Sequence, residues 1–242
     1  MGRILLLAGT GNARRFAARL AGAGHDVVAS LAGATNKPAA YPCATRTGGF
    51  GGVDGLCAYL GEQRPDAIVD ATHPFAQTMS AHAIAAARRS ETPLFALARP
   101  EWTKREGETW RVVPDIAAAA AALPRGAAAF LATGRGTLAA FAKAEARLYL
   151  RVVDPPREPF PYDGDYVVAR PPFDEAAERA LFQRLGVGCL VVKNAGGAAG
   201  RAKLDAAASL GLDVIVVDRP PPLDGAPPPM SEDALLEALR DI

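Results

Sequence analysis

Short apolar runs alternate with amphipathic stretches along the whole chain. The runs lack the apolar–polar alternation of a half-exposed strand, so they predict strands that are covered on both faces. The predicted strands are Arg3–Ala8, Asp26–Ser30, Ala67–Ala71, Leu94–Leu97, Ala128–Thr133, Arg147–Val153, Asp165–Ala169, Gly188–Val192 and Asp213–Val217. The stretches between them predict helices at Asn12–Ala23, Val53–Glu62, Pro74–Arg89, Asp115–Leu123, Thr137–Ala144, Asp174–Leu185, Gly200–Leu210 and Ser231–Arg240. Because strands and helices alternate, we expect an α/β fold with mostly parallel sheets and right-handed crossovers.

The number of strands predicts two lobes. Nine predicted strands are many for one sheet in a chain of 242 residues, and the polar segment Arg99–Val113 interrupts the alternation. We interpret this segment as the passage between an N-terminal domain, residues 1–98, and a C-terminal domain, residues 99–242. The proline-rich segments Asp154–Pro161 and Arg219–Pro229 are predicted loops, since proline cannot join a central strand ladder. We expect ligands in a cleft between the lobes, at the carboxyl ends of the strands.

Composition and charge exclude several classes of protein. With 27 basic and 26 acidic side chains, the net charge of +1 gives no long-range attraction to nucleic acid. No stretch approaches the roughly 20 apolar residues of a membrane span, and the start has no secretory pattern, so a cytoplasmic location is expected. Cys43, Cys57 and Cys189 are widely spaced, which argues against a disulfide framework or a metal site. Because only five basic residues are lysines, the arginines favour fork-shaped contacts with carboxylates or phosphates.

A glycine turn follows the first strand and predicts a nucleotide site. Gly9 permits a tight turn, and Gly11 lets the backbone approach a pyrophosphate at the start of a helix, beside Thr10. Asn12 is the predicted N-cap of that helix. Arg14 stands where the usual fingerprint has its third glycine. A plain structural turn is the alternative interpretation of the same residues.

The end of the second strand bears on the choice of cofactor. It carries Ser30 and no acid, whereas an enzyme that prefers NAD usually places a carboxylate there. Ser30, with Thr35, Lys37 and Arg46 downstream, therefore favours NADPH. The alternative is a loop that is polar without binding a cofactor.

The third strand ends in Asp70, Ala71, Thr72 and His73, at the edge where ligands bind in open α/β sheets. We assign Asp70, Ala71 and Thr72 to the cofactor site and His73 to a functional role. Asp70 as a local cap, and Thr72 as the N-cap of a helix that Pro74 starts, are the structural alternatives.

Further strand ends carry arginine. Arg99, Arg170 and Arg219 are each followed by proline, and Arg135 lies between two glycines at a fourth strand end. Several guanidinium groups at equivalent positions predict a cleft that holds carboxylates, so these four residues are assigned to substrate. The loop that begins at Lys193 repeats the strand–glycine–helix pattern, and Asn194, Gly196 and Gly197 join the same assignment.

Together, these motifs resemble the precorrin-6A reductase family of cobalamin biosynthesis, over essentially the whole chain. Two departures from the family pattern are Ala195, often serine, and Pro171, commonly glycine. The resemblance implies two Rossmann-like lobes with NADPH between them, no metal or flavin, and hydride transfer to a double bond of a metal-free corrinoid. The motifs are Gly9-Thr10-Gly11 with Arg14, the string Asp70–Ala76, Arg99–Trp102, Thr133-Gly134, Pro171–Phe173, Lys193–Gly197 and Arg219-Pro220.

The resemblance also suggests catalytic roles for two residues and leaves several alternative functions open. Adding a hydride to the double bond leaves negative charge on the neighbouring carbon, which must receive a proton. His73 is the candidate donor of that proton, and the Lys193 cation orients a propionate or stabilises the developing charge. The alternative is that both residues hold substrate and that solvent or the ring nitrogens supply the proton. Other functions left open are an NADP-dependent reductase of another polycarboxylate, use of the cobalt-containing analogue, and a non-catalytic NADP(H)-sensing module. The expected assembly is a monomer or a weak homo-oligomer.

Overall fold

The computed structural model describes residues 1–33 and 39–242. Its strands, in chain order, are β1 (Arg3–Leu7), β2 (Asp26–Leu31), β3 (Ala44–Thr47), β4 (Ala67–Asp70), β5 (Leu94–Leu97), β6 (Thr109–Val113), β7 (Ala128–Ala132), β8 (Arg147–Val152), β9 (Gly164–Val168), β10 (Cys189–Lys193), β11 (Asp213–Val217) and β12 (Pro229–Met230). Its α-helices are α1 (Gly11–Gly22), α2 (Gly52–Gln63), α3 (Gln77–Ser90), α4 (Ile116–Ala121), α5 (Glu175–Leu185), α6 (Ala202–Ser209) and α7 (Glu232–Ala238). Two 3₁₀ helices span Arg135–Phe141 and Ala198–Gly200.

The chain forms two compact units. The first unit comprises Met1–Arg99 and Pro221–Ile242, and the second unit comprises Pro100–Pro220. The C-terminal segment therefore belongs to the first unit, whereas the division drawn from the sequence placed it in the second domain. The reason is that β12 pairs with β5 and α7 packs against α1, and neither contact has a signature in the sequence.

The first unit has a six-stranded sheet in the order β12-β5-β4-β1-β2-β3, in which every pair of neighbours is parallel. After β1 the chain adds strands on one side, and with β4 it moves to the other side of β1. The carboxyl ends of β1 and β4 therefore flank the point where the strand order reverses. In a Rossmann-like sheet this switch point is where a ligand binds.

The second unit has the order β6-β11-β10-β7-β8-β9, and all its neighbouring strands are also parallel. Its strands β7 to β11 repeat the topology of β1 to β5, whereas its edge strand β6 comes first in the unit and the edge strand β12 comes last in the first unit. Here β7 plays the part of β1, and the order reverses between β7 and β10. A 3₁₀ helix, Arg135–Phe141, follows β7 where the first unit has the α-helix α1. The two units thus share an architecture that no repeat in the sequence reveals.

Both faces of the first sheet are covered, as the continuous apolar strands predict. Along β1, Ile4 and Leu6 pack with Phe16 of α1 on one face. Leu5 and Leu7 pack with Leu56 of α2 on the other face. The predicted α/β fold with parallel sheets is therefore confirmed, and this packing fixes the strand ends that carry the site residues.

Several predicted elements differ from those observed. The strands β3, β6 and β12 were not predicted because they are short, lie at sheet edges and carry exposed or polar residues. The segment Arg99–Val113 is consequently more than a passage between lobes, since β6 pairs with β11. The predicted helix Thr137–Ala144 is the 3₁₀ helix that begins at Arg135. Helix α3 begins at Gln77, so Pro74 lies in the preceding turn and does not start the helix.

Candidate active site

The glycine turn of the first unit connects β1 to α1 at the switch point. Gly9 has a φ of +116°, in the left-handed region that favours glycine. Thr10 is the N-cap of α1, because its hydroxyl accepts from the Ala13 amide at 3.0 Å. The same hydroxyl donates to the carbonyl of Ala71 at 3.2 Å, so it joins the ends of β1 and β4. The predicted N-cap, Asn12, lies inside the helix.

The space in front of this turn is open. A Cβ atom added at Gly9 or Gly11 would meet nothing within 4 Å. The first turn of α1 has no acidic residue and carries Arg14, whose side chain is exposed. Backbone amides at a helix N-terminus, without a nearby acid, attract a phosphate group. The turn therefore fits the pyrophosphate of a dinucleotide.

Tyr41 braces the glycine turn from outside the predicted motifs. Its hydroxyl accepts from the Gly9 amide at 3.3 Å and donates to the Thr10 carbonyl at 3.4 Å. Burial raises the pKa of Tyr41 above its ordinary value, which keeps the hydroxyl protonated and able to donate. Sequence reasoning missed this residue, because a contact across 31 positions has no spacing signal.

Ser30 and Arg46 lie side by side at the ends of β2 and β3, where they are paired in register. Ser30 is buried, and its hydroxyl accepts from Nη1 of Arg46 at 2.8 Å. The Arg46 guanidinium also donates to the carbonyls of Gly48 and Gly49, and it lies 3.9 Å from the ring centroid of Phe50. Arg46 is thus a prearranged cation at this edge. Thr35 and Lys37 lie outside the described residues.

Asp70 holds the turn that follows β4. One of its carboxylate oxygens accepts from the Thr72 amide at 3.0 Å, and the other accepts from the Ser80 hydroxyl at 2.5 Å. The geometry therefore matches the alternative in which Asp70 caps the local turn. Thr72 is not the N-cap of α3, since Ala76 occupies that position. Ser80, which no motif singled out, completes the turn.

His73 is half-buried in the same turn. Its Nδ1 accepts from the Phe75 amide at 3.3 Å, so a neutral ring carries its proton on Nε2. Its ring centroid lies 5.7 Å from that of Phe75. The first unit therefore brings its predicted residues to one edge, with a donor nitrogen of defined tautomer among them.

The second unit carries Lys193 at its own switch point. Lys193 is the last residue of β10, the strand beside β7. Burial lowers the pKa of Lys193 from its ordinary value near 10.5. At the end of β7, the buried hydroxyl of Thr133 lies 2.7 Å from that of Thr137, and Arg135 is exposed. The geometry thus places one half-buried cation and one exposed cation at this edge.

Asn194 is engaged by the segment that begins the second unit. Its side chain is 6% exposed, and its carbonyl oxygen accepts from the Trp102 amide at 3.0 Å. Its amide nitrogen donates to the carboxylate of Glu101 at 3.3 Å. Gly197 donates its amide to the Pro100 carbonyl at 3.1 Å and accepts from the Trp102 indole at 2.7 Å. These contacts bind the glycine loop to Pro100–Trp102.

Arg219, two residues after the end of β11, contacts the same loop. Its Nε donates to the Asn194 carbonyl at 2.9 Å, and its Nη2 donates to the Ala195 carbonyl at 3.1 Å. Burial lowers the pKa of Arg219, while the charges of Glu101 and Asp218 oppose that change. The guanidinium that was predicted to bind substrate is therefore engaged by backbone carbonyls.

The remaining predicted arginines are distributed over both units. Arg170 follows β9 and forms an ion pair with Asp154, and its side chain is exposed. Arg135 shares this carboxyl edge of the second sheet. Arg99 follows β5 and belongs to the first unit, where it is half-buried. The structure thus assigns Arg135 and Arg170 to the sheet edge that carries Lys193.

Within residues 1–33 and 39–242, His, Cys, Asp and Glu form no group of three or more that could hold a metal ion. Over the same ranges, no helix combines the length and the apolar character needed to span a membrane.

A family model described as precorrin-6x reductase CbiJ/CobK matches residues 3–240. The chain belongs to the precorrin-6x reductase family. It is 48% identical over 223 residues to a precorrin-6A reductase from Rhodobacter capsulatus, which covers 91% of this chain and 89% of the relative. A solved structure of CobK precorrin-6A reductase superposes with a TM-score of 0.93 at 44% identity, over 100% of this chain and 97% of the other. A cobalt-precorrin-6A reductase from Priestia megaterium is 31% identical, with 90% of each chain covered. The resemblance drawn from the motifs is therefore confirmed, and the family is one of oxidoreductases.

Proposed function

We propose that the chain catalyses the NADPH-dependent reduction of precorrin-6A to precorrin-6B in cobalamin biosynthesis. The observation that carries the proposal is the open, acid-free glycine turn at the switch point of a chain in this family. Greater identity to a precorrin-6A reductase, 48% against 31%, favours the metal-free substrate over its cobalt-containing analogue.

The first unit supplies the cofactor site in this proposal. When bound, NADPH supplies the hydride. The turn from Gly9 to Asn12, with Arg14, holds the pyrophosphate. Ser30 and Arg46 form the part of the site that binds the 2′-phosphate of NADPH. The Arg46 guanidinium is held in position by Ser30 and by the Gly48 and Gly49 carbonyls, and its charge attracts that phosphate. The turn Asp70–Thr72 completes the site.

The second unit supplies the residues for a corrinoid decorated with carboxylates. Arg135 and Arg170 are exposed cations at its carboxyl edge, and Lys193 is a half-buried one. Arg99 follows β5 in the first unit and stays a predicted substrate residue. Charge-assisted contacts of this kind fix the orientation of a polycarboxylate without chemistry of their own.

The protein's part in the reaction is positioning and proton supply. Adding a hydride to a conjugated double bond leaves negative charge on the neighbouring carbon, which must receive a proton. His73 donates that proton from Nε2 of its imidazolium form and is left neutral; forming the imidazolium puts a proton on Nδ1 and so replaces the hydrogen bond that Nδ1 accepts from the Phe75 amide. The Lys193 ammonium stabilises the developing charge.

The cofactor preference is directly testable. We expect the protein to bind NADPH at least about tenfold more tightly than NADH, worth about 1.4 kcal/mol. Ser30→Asp is expected to weaken NADPH binding, because its carboxylate would repel the phosphate and compete for Arg46. Arg46→Met is expected to reduce the preference, while Arg89→Met, which removes an exposed arginine of the same unit, should leave it unchanged. Titration calorimetry checks this, and equal affinities for the two cofactors would contradict it.

The activity itself is tested by colour. Purified protein incubated with precorrin-6A and NADPH is expected to change the visible spectrum as NADPH is consumed. The cobalt-containing analogue, assayed in parallel, should react more slowly. A non-catalytic nucleotide-sensing module would bind NADPH and leave the spectrum unchanged.

A further inference from the structure

We propose that Trp102, Asn194 and Arg219 are positioning residues that together hold the loop Lys193–Gly197 in the conformation that reduction requires. We name these three residues the loop clasp. In this account Arg219 acts on the loop and does not bind substrate. The inference rests on the proposed function for the role of Lys193, and on the contacts alone for the clasp itself.

The clasp closes around the loop from two sides. On one side, the Trp102 backbone amide donates to the side-chain oxygen of Asn194, and the Trp102 indole donates to the backbone carbonyl of Gly197. On the other side, Arg219 donates to the backbone carbonyls of Asn194 and Ala195, through Nε and Nη2 respectively. Asn194, Ala195 and Gly197 are therefore each held by a hydrogen bond to the side chain of Arg219 or to the backbone or side chain of Trp102.

The surroundings of Gly196 leave no room for a side chain at the centre of the loop. Its φ is +70°, and an added Cβ would lie 2.1 Å from the Pro100 carbonyl oxygen and 2.5 Å from Nη2 of Arg219. The backbone of the loop is thus packed between the Pro100 carbonyl and the guanidinium. The Pro100 carbonyl cannot swing aside cheaply, because it also accepts from the Gly197 amide at 3.1 Å.

Two of the three clasp side chains are buried, and that of Arg219 is half-buried. Trp102 is 8% exposed, and Asn194 is 6% exposed. The Trp102 ring packs so closely on Gly200 that an added Cβ there would lie 2.6 Å from it, and the Lys203 ammonium lies 5.2 Å from the ring centroid. A buried polar group that has lost its partner is costly, so these hydrogen bonds act as a unit.

The geometry of Arg219 favours an internal role over substrate binding. A guanidinium donates in a fixed fork, and here that fork spans two successive carbonyls with Glu101 3.7 Å away. A substrate carboxylate would have to compete with these partners. A lysine ammonium keeps the charge but is a point donor that cannot reproduce both contacts.

The clasp also connects the two ends of the second unit. Pro100 is its first residue, and Arg219 lies next to its last, Pro220. Both ends are held against the loop Lys193–Gly197. The backbone amide of Asn194 also donates to the Val217 carbonyl at 2.8 Å. Three motifs that are separate in the sequence therefore meet at one loop. They are Arg99–Trp102, Lys193–Gly197 and Arg219-Pro220.

The test compares Arg219→Met and Arg219→Lys with Arg125→Met, which removes an exposed arginine of the same unit. In the ligand-free protein, we expect Arg219→Met to shift the Trp102 indole resonance in ¹H–¹⁵N spectra, assigned with Trp110→Phe. We expect it to speed exchange of the Gly197 amide by about tenfold or more. We also expect kcat with precorrin-6A to fall roughly tenfold to a hundredfold, while the Kd for NADPH is unchanged. Arg219→Lys should fall between wild type and Arg219→Met, and Arg125→Met should match wild type.

Two results would overturn the clasp. One is an Arg219→Met protein with wild-type Trp102 and Gly197 signals and a raised KM for precorrin-6A alone, since Arg219 would then be a substrate ligand. The other is an Arg219→Lys protein that equals wild type in both signals and in kcat, because the fork would then be dispensable. If wild type does not reduce precorrin-6A, the proposed function fails, and the two ligand-free signals still decide whether the clasp holds the loop.

Discussion

Replacing Gly11 with valine is expected to abolish measurable NADPH binding while the protein stays folded. An added Cβ at Gly11 meets no protein atom within 4 Å, so the side chain starts in open space and we expect the fold to be kept. The branched side chain would instead occupy the space in which the backbone meets the pyrophosphate. Titration calorimetry measures the loss, and circular dichroism with thermal unfolding shows that the fold is retained.

Two other glycines supply the controls. Gly61 in α2 is exposed, and an added Cβ there also meets no protein atom within 4 Å. Gly61→Val therefore adds the same side chain away from the site and should leave NADPH binding intact. Gly9→Val would strain a residue whose φ is +116° and should lower stability as well as binding. If Gly11→Val is folded and binds NADPH normally, the turn is structural and the cofactor binds elsewhere.

Replacing Lys193 or His73 with alanine is expected to lower the rate of hydride transfer by roughly a hundredfold, with substrate binding largely preserved. Lys193 would lose the cation that stabilises developing charge, and His73 would lose the Nε2 donor. Single-turnover kinetics separate this rate from substrate binding. Lys143→Ala, an exposed lysine of the second unit, is the matched control.

The pH dependence gives Lys193 a signature of its own. Burial lowers the pKa of Lys193, so the ammonium form is lost at a lower pH than for an ordinary lysine. The rate should therefore fall as pH rises through that lowered pKa. Lys193→Arg keeps a cation that does not titrate in this range, and it should remove the part of the alkaline fall that comes from Lys193. If both alanine variants raise the substrate Kd and leave the rate intact, the two residues hold substrate and neither supplies the proton.

The central strands of both sheets could be predicted because burial on two faces leaves a plain mark in the sequence. The strand β1 is an unbroken apolar run, and its ends were predicted to within a residue. The strand β3, with the sequence Ala-Thr-Arg-Thr, carries no such mark, because an edge strand is held by backbone hydrogen bonds that any residue can form. The same reason hid β6 and the two-residue strand β12.

The candidate site was predicted in position more than in detail. Strand ends in parallel sheets share an edge, so the glycine turn and the turn at Asp70 could be assigned to one site from their order alone. Which atom each side chain contacts depends on neighbours distant in sequence. Asp70 binds Ser80, and Arg219 binds two backbone carbonyls, which have no residue type to recognise. The sequence therefore indicated a guanidinium at the strand end without identifying its partner.

Transfer of deuterium from labelled cofactor tests the central claim most directly. NADPH carrying two deuterium atoms at the reactive carbon of its nicotinamide is incubated with precorrin-6A and the protein in ordinary water, and the product is weighed by mass spectrometry. We expect a product heavier by one deuterium than that formed with unlabelled NADPH, and no such product with the Gly11→Val protein. A reduced product without deuterium, or an unchanged substrate in the presence of bound NADPH, would contradict it.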